Sequence, residues 1–131
     1  MLDDGIFEFD KATIKPYLSS KKLEIGECFQ IIRLSTATVY LAEVKLESIS
    51  WDLRVTARRG TIRSLELRMI ETPATHNHLA EKYAAHNKFL KEHISIACKK
   101  ELGRTEYTFG WGSICSYMDI KTGECVILVE Y

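Results

Sequence analysis

Histidine is the first place to look for chemistry in this chain. His76, His78, His86 and His93 are its four histidines, and all lie between positions 76 and 93. A tetrahedral zinc site on a helix needs ligands four residues apart, or a histidine pair joined by a carboxylate from elsewhere. No H-x-x-x-H and no C-x-x-C spacing occurs. His86 and His93 are seven apart, which puts them on one helix face, and His76-Asn77-His78 falls near the start of the same helix. The chemistry these spacings allow is polar contact along a helix rim, so no metal and no cofactor is expected.

Cysteine is the second candidate. Cys28, Cys98, Cys115 and Cys125 are widely scattered and read as free, mostly buried thiols of a reducing compartment. Cys115 becomes a nucleophile only if a helix histidine reaches it and its pKa falls. Nothing in Ser113-Ile114-Cys115-Ser116 supplies that visibly. Phosphate-binding glycine loops, paired catalytic carboxylates at helical spacing and serine nucleophile elbows are absent from the sequence.

Recognition is the third. Arg54, Arg58, Arg63 and Arg68, with Lys45, are placed to project from one sheet face or its edge, interleaved with Glu43, Glu47, Asp52 and Glu66. A solvated mixed-charge face is the plain reading, and a protein-binding face is the functional one. Trp111 stands between Gly110 and Gly112. Tryptophan there is either core-edge filler or an interface anchor. The residues nominated for partner binding are Arg54, Arg58, Arg68, Trp111, His86 and His93.

The elements that must position these side chains follow from periodicity. Ile6-Phe7-Glu8-Phe9 reads as a short strand, and a short helical segment follows near Pro16. Residues 28–34 fit either a two-turn helix or a buried strand, with the helix preferred. Residues 38–47 read as a strand. Trp51, Leu53, Val55 and Ala57 alternate with polar residues, as do Leu65, Leu67 and Met69, which is the period of half-buried antiparallel strands. Parity favours a three-residue Arg59-Gly60-Thr61 loop, because it pairs Val55 with Leu65 and Leu53 with Leu67. Thr72-Pro73 then opens a helix over about 74–102. Leu79, Tyr83, Leu90, Ile94, Cys98 and Leu102 form its apolar stripe, and Lys99, Lys100 and Gly103 its C-terminus. Tyr107, Phe109 and Trp111 begin a strand that continues through Met118. Residues 119–124 turn, and residues 125–131 return. The expected architecture is one α+β domain over residues 1–131. It has an antiparallel sheet of about five to six strands, a central meander plus C-terminal hairpin, packed against one long helix, with a short helical segment near the N-terminus.

Composition sets the outer bounds. Hydrophobic residues make up 46% and charged residues 27%, the balance of a globular domain. Eighteen basic residues match 18 acidic ones, which weighs against a dedicated nucleic-acid binder. No apolar run is long enough to span a bilayer and no signal peptide is evident, so a cytoplasmic location is the default expectation.

Trp111-Gly112-Ser113-Ile114-Cys115-Ser116-Tyr117-Met118-Asp119, then Lys121-Thr122-Gly123, then Val126-Ile127-Leu128-Val129-Glu130-Tyr131, resembles the C-terminal hairpin of small bacterial immunity proteins. These neutralise toxins delivered by contact-dependent growth inhibition and related secretion systems. The strand–turn–strand of residues 51–70 followed by a helix resembles that group too. The resemblance covers about half the chain and assigns no individual binding residue. It implies a protein without catalytic activity whose partner is one cognate toxin domain. The alternative is a small-molecule-binding or enzymatic α+β domain, with a pocket lined by Tyr83, Phe89, Trp51 and Trp111 and histidines at its mouth.

Overall fold

The computed structural model describes residues 1–70 and 79–131. Strands take up 50% of the described residues and helices 15%, so the fold is mostly β. A two-stranded ribbon, β1 (Phe7–Glu8) and β2 (Thr13–Ile14), precedes a one-turn helix, α1 (Lys21–Glu24). Then come β3 (Gln30–Arg33), β4 (Thr38–Leu46), β5 (Ile49–Arg58), β6 (Thr61–Met69), α2 (Leu79–His93), β7 (Lys99–Glu101), β8 (Arg104–Phe109), β9 (Gly112–Asp119) and β10 (Glu124–Glu130). The strands from β3 onward form one eight-stranded antiparallel sheet in the order β3-β4-β5-β6-β10-β9-β8-β7. The strand that comes last in the chain therefore lies in the middle.

One face of this sheet is the core. Trp51, Leu53, Val55, Leu65, Leu67, Tyr107, Ile114, Ile127 and Val129 project from it and are buried. Two covers share that face. The inward side of α2 contributes Phe89 and Leu90, and the N-terminal segment contributes Leu2, Phe7, Phe9, Ile14 and Leu23. Burying side chains of this size is worth roughly 1.5–3 kcal/mol each against exposure, and this term drives the packing.

The expected sheet of five to six strands under one long helix is overturned by an eight-stranded sheet, a separate two-stranded ribbon and two short helices, and three segments account for the difference. The helix predicted over 74–102 is described from Leu79 and ends at His93. Its end is set from outside: the Leu2 amide donates to the His93 carbonyl at 2.7 Å, and the Asp3 carboxylate accepts from the Ser95 amide at 3.0 Å and from the Ser95 hydroxyl. Lys99, Lys100 and Gly103 do not finish a helix. The two lysines lie in β7, and Gly103 (φ +72°) turns that strand into β8. Left-handed glycine serves both purposes, so the punctuation did not discriminate between them.

The second correction is at residues 28–34, where an exposed edge strand (β3) replaces the expected helix and pairs Arg33 with Thr38. The third is in the aromatic stretch, where Gly110 and Trp111 form a turn between β8 and β9 and Phe109 pairs with Gly112. A Cβ on Gly112 would sit 1.9 Å from the Glu130 carbonyl oxygen, so only glycine allows this close approach of the two backbones. Thr72-Pro73, His76 and His78 lie outside the described residues.

The β5–β6 register is the expected one, Val55 with Leu65 and Leu53 with Leu67, but the turn is not. Arg58 pairs with Thr61, leaving a two-residue Arg59-Gly60 turn with both φ positive, 52° and 77°. Parity is restored by a bulge: Ala57 opposes Ile62 and Thr56 opposes Ser64, so Arg63 is the extra residue. Ile62 and Leu65 are both buried as a result.

Candidate functional site

Alternation places the remaining side chains on the opposite face of the sheet. Arg54 lies between buried Leu53 and Val55, Glu66 between buried Leu65 and Leu67, and Leu128 between buried Ile127 and Val129. Arg54 opposes Glu66, Glu66 opposes Leu128, and Leu128 opposes Cys115. Neither α2 nor the N-terminal segment, which pack on the core side, covers this outer face.

Ionic contacts run across it. Arg54 Nε lies 3.8 Å from Glu66, Arg68 lies 3.6 Å from Glu66, and the same guanidinium lies 3.6 Å from Glu124. On the far side of β9, Arg104 pairs with Glu106 at 3.1 Å. Between these groups run Val126, Leu128, Cys115 and Tyr117. Val126 and Cys115 are buried, while Leu128 and Tyr117 are partly exposed. A groove of about 540 Å³ adjoins the strip, lined by residues that include Leu41, Glu43, Asp52, Arg54 and Arg68. Surface ion pairs of this kind contribute little stability, about 0–1 kcal/mol each. Their consequence is a border of alternating charge around an apolar strip.

The six nominated residues are distributed over four places. Arg54 and Arg68 share the outer face and are joined through Glu66. Arg58 stands at the end of β5 and lines a different cleft, beside the β5–β6 turn. Trp111 anchors the N-terminal segment: its indole N–H donates to the Asp3 carbonyl at 2.8 Å, and its ring stacks on Phe109 and against Tyr131. His86 is not a rim histidine. It is 3% exposed, packed against Trp51, and its Nε2 accepts the Met69 amide at 3.2 Å. The proton therefore sits on Nδ1, which has no hydrogen-bond partner among the described residues. Burial, with the Arg68 and Lys82 charges nearby, lowers its pKa to about 4. His93 donates from Nδ1 to the Phe89 carbonyl at 2.7 Å and stacks on the Phe89 ring.

The chemistry weighed for cysteine meets a geometric obstacle. Cys115 is on the outer face while α2 and its histidines are on the inner one. Burial raises the Cys115 pKa to about 11, which keeps the thiol protonated. No disulfide links the described cysteines, of which Cys115 and Cys125 are buried and Cys28 is exposed. Among the described residues, no cluster of three metal-ligating side chains forms. Trp51 packs edge-on against Phe89 at 4.9 Å, while Trp111 belongs to a separate stack with Phe109 and Tyr131, so the two tryptophans do not line a common pocket.

The apolar members of the outer strip were not among the nominated residues. Val126 and Leu128 did carry a signal, because β10 is apolar on both faces, and an exposed sheet face rarely is. Arg59 was not nominated either: its position in a tight turn drew notice but its charge did not. No helix among the described residues is long and apolar enough to cross a membrane. Comparison with family models, with curated proteins and with solved structures finds no match to this chain.

Proposed function

We propose that this protein is an immunity-type inhibitor, which binds a cognate toxin domain and neutralises it by covering its surface. The observation that carries the reading is the outer sheet face, where the partly exposed Leu128 and Tyr117, seated over buried Val126 and Cys115, are framed by the ion pairs of Arg54, Glu66, Arg68, Glu124, Arg104 and Glu106. An apolar centre inside a polar rim is the anatomy of specific protein interfaces. The rim charges steer a partner of complementary pattern and reject others. The resemblance of residues 111–131 to immunity-protein hairpins supports the same reading, because β9 and β10 supply the strip.

The direct test is co-expression with the C-terminal domain encoded immediately upstream. A stoichiometric complex that survives moderate salt and relieves growth arrest is expected. An upstream product that is not toxic, or an affinity no tighter than micromolar, would sink the proposal.

A further inference from the structure

At one end of the sheet, the β5–β6 turn and the β3–β4 turn form the walls of a second cleft, of about 820 Å³. Arg58, Arg59 and Arg63 line it, with the hydroxyl residues Ser35, Thr36 and Thr38. No carboxylate is among its lining residues. Among the described residues, none of the three guanidiniums has an ion-pair partner, in contrast to Arg33, Arg54, Arg68 and Arg104. A chain with zero net charge has thus concentrated three uncompensated cations at one place.

Two backbone devices set this arrangement. Arg59 occupies the first position of a turn with φ +52°, where glycine, asparagine or aspartate is preferred. Holding a long cationic side chain in left-handed backbone runs against local preference, and such strain concentrates where a side chain is used. Arg63 is the extra residue of the β6 bulge, a device that re-aims a side chain. The turn is then pinned from behind: the Ser20 amide donates to the Gly60 carbonyl at 2.9 Å and the Ile62 amide to the Leu18 carbonyl at 3.0 Å. The cleft is pre-organised.

We infer that this cleft binds a phosphate chain, either free oligophosphate or the phosphate tail of a nucleotide. Guanidinium forks and hydroxyl donors approaching from two turns suit tetrahedral groups that present acceptor oxygens in several directions. A phosphate chain delivers several negative charges on few rotatable bonds. An acidic peptide would have to order several flexible side chains to match it, which costs affinity. No aromatic ring lines the cleft, so it offers no stacking platform for a base, and the phosphates carry the recognition. The site is separate from the outer-face strip and does not depend on the immunity reading.

Calorimetric titration with sodium tripolyphosphate, ATP, citrate and hexaglutamate tests it. Saturable 1:1 binding of tripolyphosphate is expected, with citrate and hexaglutamate weaker by roughly tenfold or more. ATP binding more tightly than tripolyphosphate identifies a nucleotide as the source, and equal or weaker ATP binding identifies free oligophosphate. The Arg59→Gly variant separates binding from folding, since glycine suits the turn. It should weaken tripolyphosphate by about tenfold with no fall in melting temperature. Arg63→Gln should weaken it as well. Absent tripolyphosphate binding, unchanged affinity in Arg59→Gly, or preferential binding of hexaglutamate would each overturn the assignment.

Discussion

Gly5 shows how one missing side chain holds a terminus in place. Its φ is +76°, and a Cβ there would fall 2.8 Å from the Trp111 ring, which is itself fixed by Asp3 and Tyr131. Gly5→Ala meets both the backbone penalty and the clash, so a loss of about 2 kcal/mol is expected in urea unfolding. His86 makes the pH prediction. Its folded pKa of about 4 lies below the ordinary 6.5. Between these values the unfolded chain takes up a proton that the folded protein refuses. Stability is therefore flat above pH 6.5, falls as the pH drops toward 4, and levels off below; the difference is on the order of 3 kcal/mol. Urea midpoints from pH 7 to 4, with the His86 ring followed by NMR, check this, and a ring titrating near 6.5 would refute it. Burial of His86 was not legible in the sequence. The seven-residue spacing to His93 shows a shared helix face, but not that Trp51 waits opposite it.

At the scale of elements, the helix end is the most instructive. Nothing local stops α2 at His93, and the apolar stripe through Ile94, Cys98 and Leu102 invites continuation. The stop is tertiary, delivered by Leu2 and Asp3 from the other end of the sequence. Asp3→Ala should release it. Amide exchange at Ser95 is expected to accelerate, while exchange in β5 and β6 stays slow, and equal protection at Ser95 in both proteins would contradict the assignment. The alternation of residues 51–57 and 65–69 was legible because period two survives one bulge when each strand is read separately. The loop length was not, since parity counts residues without knowing that Arg63 is left unpaired. Residues 28–34 carry too few turns of pattern to separate helix from strand, and the partner that decides, β4, follows four residues later.

For the molecule as a whole, zero net charge conceals a polar distribution. β5 starts beside the Glu47-Ser48 turn, near Asp4 and Glu8, and ends at Arg58 and Arg59, about 33 Å away at ~3.3 Å per residue. Composition argues correctly about the total and says nothing about this separation. The outer face gives the remaining prediction. Leu128 is partly exposed among ion pairs, so Leu128→Arg should leave the melting temperature within a few degrees while weakening the toxin complex at least ~10-fold. A variant that binds as well as the parent would place the interface elsewhere.

The sheet order has a consequence for how the chain is made. β10 joins β6 to β9, so the two four- and three-stranded parts of the sheet have no shared ladder until the strand latest in the chain is supplied. During synthesis, β3 to β6 leave the ribosome with one long edge open, and β7 to β9 follow in the same condition. Neither can complete the core, because Ile127 and Val129 are still missing from it. Closure of the sheet therefore waits for β10, and is slow in the manner of sheets closed by distant segments. Until it happens, the nascent chain is a natural client for whatever in the cell shields unpaired strands.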